Sequence, residues 1–161
     1  MGWLPEPVER LLEVALVGEL TVVRGDRPIT HPLIPLYDGE HLYLHSSTLF
    51  SKKLEHIKRN PRVALALTDP VAMKGNTDRA TIQGTARVIE DDPHADWERL
   101  ILGLWRRKEP VIDSFLKTRV ALPLFFERSV IEVTPERCLY WAAGDTSRPP
   151  AVTTSPAREA A

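Results

Sequence analysis

The chain has 161 residues, 43% of them apolar and 27% charged, and its 21 Lys and Arg nearly cancel 22 Asp and Glu to leave a net charge of -1. Length and apolar content suit one compact core and exclude a wholly disordered or collagen-like chain. The charge balance supplies no global field for nucleic acid or anionic lipid, so any anion site must be local. No apolar run approaches the roughly 20 residues that span a bilayer. The single Cys138 cannot form an internal disulfide, and one Cys with five scattered His does not build a structural zinc site. Cytoplasmic localisation is the expectation, with no nucleic-acid or membrane partner.

Pro5 and Pro7 precede Val8, Leu11, Leu12, Ala15 and Leu16, a helical stripe that should end near Gly18. Leu20–Val23, Ile29–Tyr37 and Leu42–His45, separated by turns at 24–27 and at Asp38-Gly39, then read as hairpin-linked strands. Pro32 and Pro35 lie inside the second of these. Neither can donate to a ladder, so that strand should form an edge, contain a bulge, or turn its open side to a ligand or partner.

Ser51–Asn60 reads as a short basic helix stopped by Pro61, and Val63–Leu67 as an apolar strand. Arg79–Ile89 alternates strictly, and Gly84 within it signals a bulge or close approach. Asp92-Pro93 opens a helix with Trp97, Leu100, Ile101, Leu104 and Trp105 on one face, and a second helix follows Pro110. Leu124–Val133 and Cys138–Trp141 read as two closing strands. The fold class expected is mainly β (α+β), a six- to seven-stranded antiparallel barrel with short outer helices over residues 1–145. Residues 146–161, rich in Pro, Ser, Thr and Ala, are expected to be a disordered tail. Dinucleotide, phosphate-loop and nucleophile-elbow motifs are absent.

His45-Ser46-Ser47-Thr48-Leu49-Phe50-Ser51-Lys52-Lys53 packs hydroxyls and two ammonium groups into one strand-to-helix junction. Hydroxyls, the unpaired N–H groups of a first helical turn and the helix dipole all favour an anion, and each charge-assisted contact contributes about 1.5–3 kcal/mol. The alternative is that Ser51 or Thr48 caps the helix and the lysines face solvent. His31 is either a substrate-side hydrogen-bonding group or a half-exposed strand residue. His41 and His45, roughly 13 Å apart on a strand, cannot share a metal. Trp105-Arg106-Arg107-Lys108 reads as a helix end, with contact to a cofactor or an anionic substrate as the alternative. Cys138 reads as structural.

The run Arg27-Pro28-Ile29-Thr30-His31-Pro32-Leu33-Ile34-Pro35-Leu36-Tyr37-Asp38-Gly39, followed by Leu42-Tyr43-Leu44-His45-Ser46-Ser47 and Ser51-Lys52-Lys53-Leu54, resembles the pyridoxamine 5'-phosphate oxidase-like superfamily of flavin-binding split β-barrels. Arg79–Ala86 is similar to that superfamily's strand with a Glu- or Gln-Gly step, and Val133–Trp141 to its closing strand. The resemblance implies a homodimer with two FMN sites at its interface. It implies His31, Pro32, Leu33 and Ile34 along the ring, Ser46 and Ser47 near the ribityl phosphate, Ser51, Lys52 and Lys53 on the phosphate, and Arg79 and Gln83 approaching the flavin from a neighbouring strand. No C-terminal Arg-x-His substrate motif is present, which argues against vitamin B6 oxidation. The function implied is an FMN oxidoreductase acting on a small organic substrate. An F420-dependent reductase, or a non-catalytic dimer binding flavin or haem, are the alternatives.

Overall fold

The computed structural model describes residues 2–47, 51–117 and 128–156. In chain order, α1 (Glu6–Val14) precedes β1 (Gly18–Arg24), β2 (Arg27–Leu33), β3 (Leu36–Tyr37) and β4 (Leu42–Ser47). Next come α2 (Lys52–Arg59), β5 (Arg62–Leu67) and β6 (Arg79–Ile89). A helical arm follows, with α3 (Pro93–Trp97) and α4 (Gly103–Lys108) joined through a π-helical stretch, then α5 (Ile112–Leu116). The chain returns as β7 (Arg128–Trp141) and ends in β8 (Ala151–Thr154).

All pairings are antiparallel, in the order β2-β1-β5-β6-β7-β4-β3, with β8 added to β7. The two ends of that path, β2 and β3, are consecutive in the chain and separated only by Ile34 and Pro35. One proline-bearing run therefore supplies both edges of the barrel. The expected single strand over Ile29–Tyr37 is split there, because Pro35 cannot donate. Pro28 and Pro32 are four residues apart, so their missing donors fall on the same side of β2, which among the described residues pairs only with β1.

Period-two alternation separates two cores. Leu42 and Leu44 of β4, with Ile131 and Val133 of β7, point into the barrel beside Leu20, Val22, Leu65 and Ile82. Leu54 and Ile57 of α2 close one end of this interior. Tyr43 and Val130, of opposite parity, face the helical arm, where Trp97, Ile101 and Trp105 form a second cluster.

The closing strands are one. β7 runs unbroken from Arg128 and carries a bulge: Gln83 pairs with Arg137 but Gly84 with Pro135, leaving Glu136 as the extra residue. A Cβ on Gly84 would lie 2.2 Å from the Thr134 carbonyl oxygen, so only glycine fits this crossing. The part of the expected closing strand at 124–127 lies outside the described residues.

The expected tail needs correction. Residues 151–154 form β8, paired with Arg137–Tyr140, and Ser155 N–H donates to the Glu136 carbonyl at 2.9 Å. Beyond Val133, β7 no longer pairs with β4, so its free backbone groups offer a ladder that needs little side-chain burial. Residues 157–161 lie outside the described set. Among the described residues no helix is long and apolar enough to cross a membrane.

Candidate functional site

The apolar rows lining the barrel turn polar at one end. On β4 and β7 the opposed pairs run Leu42 with Val133, Leu44 with Ile131, then Ser46 with Ser129. Directly opposed residues share a face, so both serines point the same way as the leucines, toward the end closed by α2. There Ser46 Oγ lies 2.9 Å from Ser51 Oγ and accepts from Lys53 Nζ at 2.9 Å, while Lys53 also reaches Ser51 Oγ at 3.5 Å. The structure thus gathers Ser46, Ser51 and Lys53 at one corner, as their spacing suggests.

Ser51 occupies the N-cap position of α2 but makes no side-chain cap to the helix backbone. Its hydroxyl is turned to Ser46 and Lys53 instead, which sets aside the simple capping reading for this residue. Thr48, the other capping candidate, lies outside the described residues, as do the side-chain surroundings of Ser47. Lys53 has no carboxylate within ion-pair distance among the described residues, since Glu55, two positions on, pairs with Lys58.

Lys53 and Arg128 bring two positive side chains close together here. Burial, and then the Arg128 guanidinium, hold the Lys53 amine below its ordinary value. Burial, followed by the charges of Lys53 and His56, holds His31 below the usual imidazole range. The His31 Nε2 is buried with no hydrogen-bond partner, and so is the Oγ of fully buried Ser129. A corner of mutually repelling cations and unspent hydrogen-bonding atoms is chemically matched to a multivalent anion.

Other expected site residues are distributed unevenly. His31 and Leu33 turn toward the barrel, Leu33 packing on its interior, whereas Pro32 is exposed and Ile34 joins the outer cluster. Lys52 is exposed and makes no hydrogen bond at the corner. Arg79 and Gln83 are not brought there within one chain. They sit level with Trp141 and Arg137 on β7, about 40 and 26 Å of strand from Ser129. The Arg79 side chain instead lies beside Gly144. Sequence reasoning passed over Arg128 and Ser129; the visible signal for Ser129 was a polar residue in phase with Ile131 and Val133 on an inward face.

The basic end of the helical arm is structural where its contacts are visible. Lys108 Nζ, half-buried and held down to about 8 chiefly by desolvation, donates to the Ala15 carbonyl at 2.7 Å and to the Pro35 carbonyl. It ties α1 to the break between β2 and β3. Arg106 pairs with Asp113 at 2.8 Å. Cys138 is buried and its thiol is pushed up to about 12, so it is not a nucleophile. Two concavities adjoin Arg107 and Asp38, one of about 530 Å³ between α1, β3 and α4 and one of about 330 Å³ between Tyr43 and the helical arm at Arg99 to Leu104. Neither is lined by Ser46, Ser51 or Lys53.

Residues 5–137 match the pyridoxamine 5'-phosphate oxidase family. The chain belongs to that family. An F420 reductase of known structure shares 30% identity over 84% of this chain and 98% of its own, with a TM-score of 0.61. An FAD-binding protein from Mesorhizobium loti and the heme storage protein of Vibrio cholerae each share 18% identity, with TM-scores of 0.57 over 84% of this chain and 92% of theirs. These two carry the fold alone. No curated protein matches the chain. The family's split-barrel architecture is the one described above.

Proposed function

We propose that this chain binds FMN as a homodimer with a site at each side of the subunit interface, and that it acts as an oxidoreductase on a small organic substrate in the cytoplasm. The observation that carries this reading is the corner where Lys53, without an acid partner among the described residues, meets Ser46 and Ser51 beside Arg128 and His31. The phosphate ester would be held by Lys53 and Ser51, both partly open to solvent. Ser46, almost wholly buried, would orient Lys53 from beneath. His31 brings an unspent nitrogen to the edge strand along which the ring would lie, and among the described residues no further strand pairs with that edge. Arg79 and Gln83, remote from the corner of their own chain, would serve the site across the interface.

Bound flavin supplies hydride or electron transfer. The chain's own residues then need only bind, orient and leave one ring face open, so no acid-base pair is required. A second reading, deazaflavin F420 in place of FMN, is favoured by the 30% identity to an F420 reductase. Both cofactors present a phosphate ester and a tricycle to the same donors.

Denaturing the purified protein and identifying the released chromophore by mass spectrometry distinguishes FMN, F420 and haem. Titration with FMN and with riboflavin isolates the phosphate. Lys53→Ala should weaken FMN about 10- to 100-fold and leave riboflavin unchanged. Equal FMN affinity in that variant would remove the corner as the phosphate site.

A further inference from the structure

Ser129 is fully buried, opposed to Ser46 across β4 and β7, and its Oγ has no hydrogen-bond partner. Ser46, also buried, commits its hydroxyl to Ser51 and Lys53. We infer that Ser129 is a reserve partner for Ser46: when a phosphate ester draws Lys53 and Ser51 toward itself, the Ser46 hydroxyl turns to Ser129, and no buried hydroxyl is stranded. This rests on the phosphate reading of the corner and assigns a positioning residue beneath it.

The geometry permits the exchange. Opposed residues in an antiparallel pair hold their Cβ atoms about 5 Å apart, and a serine side chain moves its oxygen among three staggered positions about one bond. A rotation of Ser46, with Ser129 following, brings the two oxygens within hydrogen-bond range without moving either strand. A hydroxyl can donate once and accept twice, so Ser46 needs only one new partner when Lys53 leaves. The two arrangements trade orphans. In the free protein Ser129 lacks a partner; with the anion in place, Ser46 would lack one if Ser129 were absent. The unpaired hydroxyl, costly in an otherwise apolar row, thereby acquires a use.

The test compares full-length wild type, Ser129→Ala, Ser46→Ala and the double variant, with FMN and riboflavin as probes and thermal unfolding of the flavin-free protein alongside. Ser129→Ala should leave the free protein's Tm unchanged or raise it, because an orphan is removed. It should lower the ratio of FMN to riboflavin affinity about 3- to 10-fold, and this loss should vanish in the Ser46→Ala background. A lower Tm in Ser129→Ala would show that Ser129 is already paired in the free protein and would overturn the inference. So would an unchanged ratio in Ser129→Ala when Lys53→Ala reduces it, with the phosphate reading left standing. An unchanged ratio in Lys53→Ala would sink the phosphate reading, and the reserve pairing with it.

Discussion

His45 makes the protein's acid stability a measurable consequence of its packing. It sits on β4 on the face opposite Ser46, against Trp105 with ring centroids 5.0 Å apart, and Trp105 in turn meets Trp97 at 6.2 Å. Its Nδ1 is buried without a partner. Burial, and secondarily the charge of Arg128, lower its pKa from 6.5 to about 3. The unfolded chain takes up this proton as pH falls through 6.5, while the folded chain refuses it until about 3, so stability is full above that window and is lost as pH falls within it. Between about pH 7 and about pH 4.5 the loss from this residue is about 2–3 kcal/mol, or about 5–10 °C in Tm for a chain of this size. The assay is urea unfolding at both pH values for wild type and His45→Phe, which keeps a ring against Trp105 and cannot titrate. His31 shifts in the same direction and cancels in the comparison. The variant should lose about 2–3 kcal/mol less than wild type on acidification. Equal losses in the two proteins would show that His45 is neither dry nor neutral in the folded state.

Gly84→Ala should destabilise by about 1–3 kcal/mol, because the added Cβ meets backbone atoms of Thr134 and Pro135 at 2.2–3.1 Å and β6 must leave β7 at the bulge. A Tm within about 1 °C of wild type would contradict this. Lys108, lowered from 10.5 to about 8, should make wild-type stability rise by about 2 kcal/mol between about pH 8 and about pH 10, since only the unfolded chain still binds that proton. Lys108→Met should lack this increment in paired denaturant titrations, and a parallel rise in both proteins would place the Lys108 amine in solvent.

Much of the barrel is legible from local chemistry. Strict alternation over Arg79–Ile89 marks β6 at its observed bounds, and of Pro32 and Pro35, the two prolines that signal an edge, the first lies in edge strand β2 and the second at its break from β3. Gly84 announces the bulge, though only the structure shows that its partner is the Thr134–Arg137 segment, which fuses two expected strands into one. β8 escapes side-chain reasoning because a ladder on a vacant edge holds it, and the availability of that edge depends on where β4 ends. At the site, Ser46, Ser51 and Lys53 are close in sequence and their meeting follows from one strand-to-helix turn. Ser129 and Arg128 arrive from some 80 residues away, so their part depends on the β4–β7 register. Arg79 and Gln83 show the converse. Their strand position is as expected, yet register alone carries them away from the corner.

The placement of cations without carboxylate partners is itself an argument for a ligand. Elsewhere the little-exposed carboxylates of Glu132 and Asp96 pair with Arg87 at 2.6 Å and Arg99 at 2.8 Å, surface Lys58 meets Glu90 at 2.5 Å, and Lys108 spends its amine on two carbonyls. At the α2 end of the barrel Lys53 has hydroxyl partners but no carboxylate among the described residues, and the His31 nitrogen and the Ser129 hydroxyl add unspent hydrogen-bonding atoms. Cations that repel one another weaken the free fold, and an anion that binds only the folded chain recovers that loss along with its own binding free energy. Stabilisation by FMN should therefore exceed that by riboflavin at equal concentration. The excess should shrink with added salt less steeply than surface pairing would, because Lys53 and His31 are partly shielded from solvent ions.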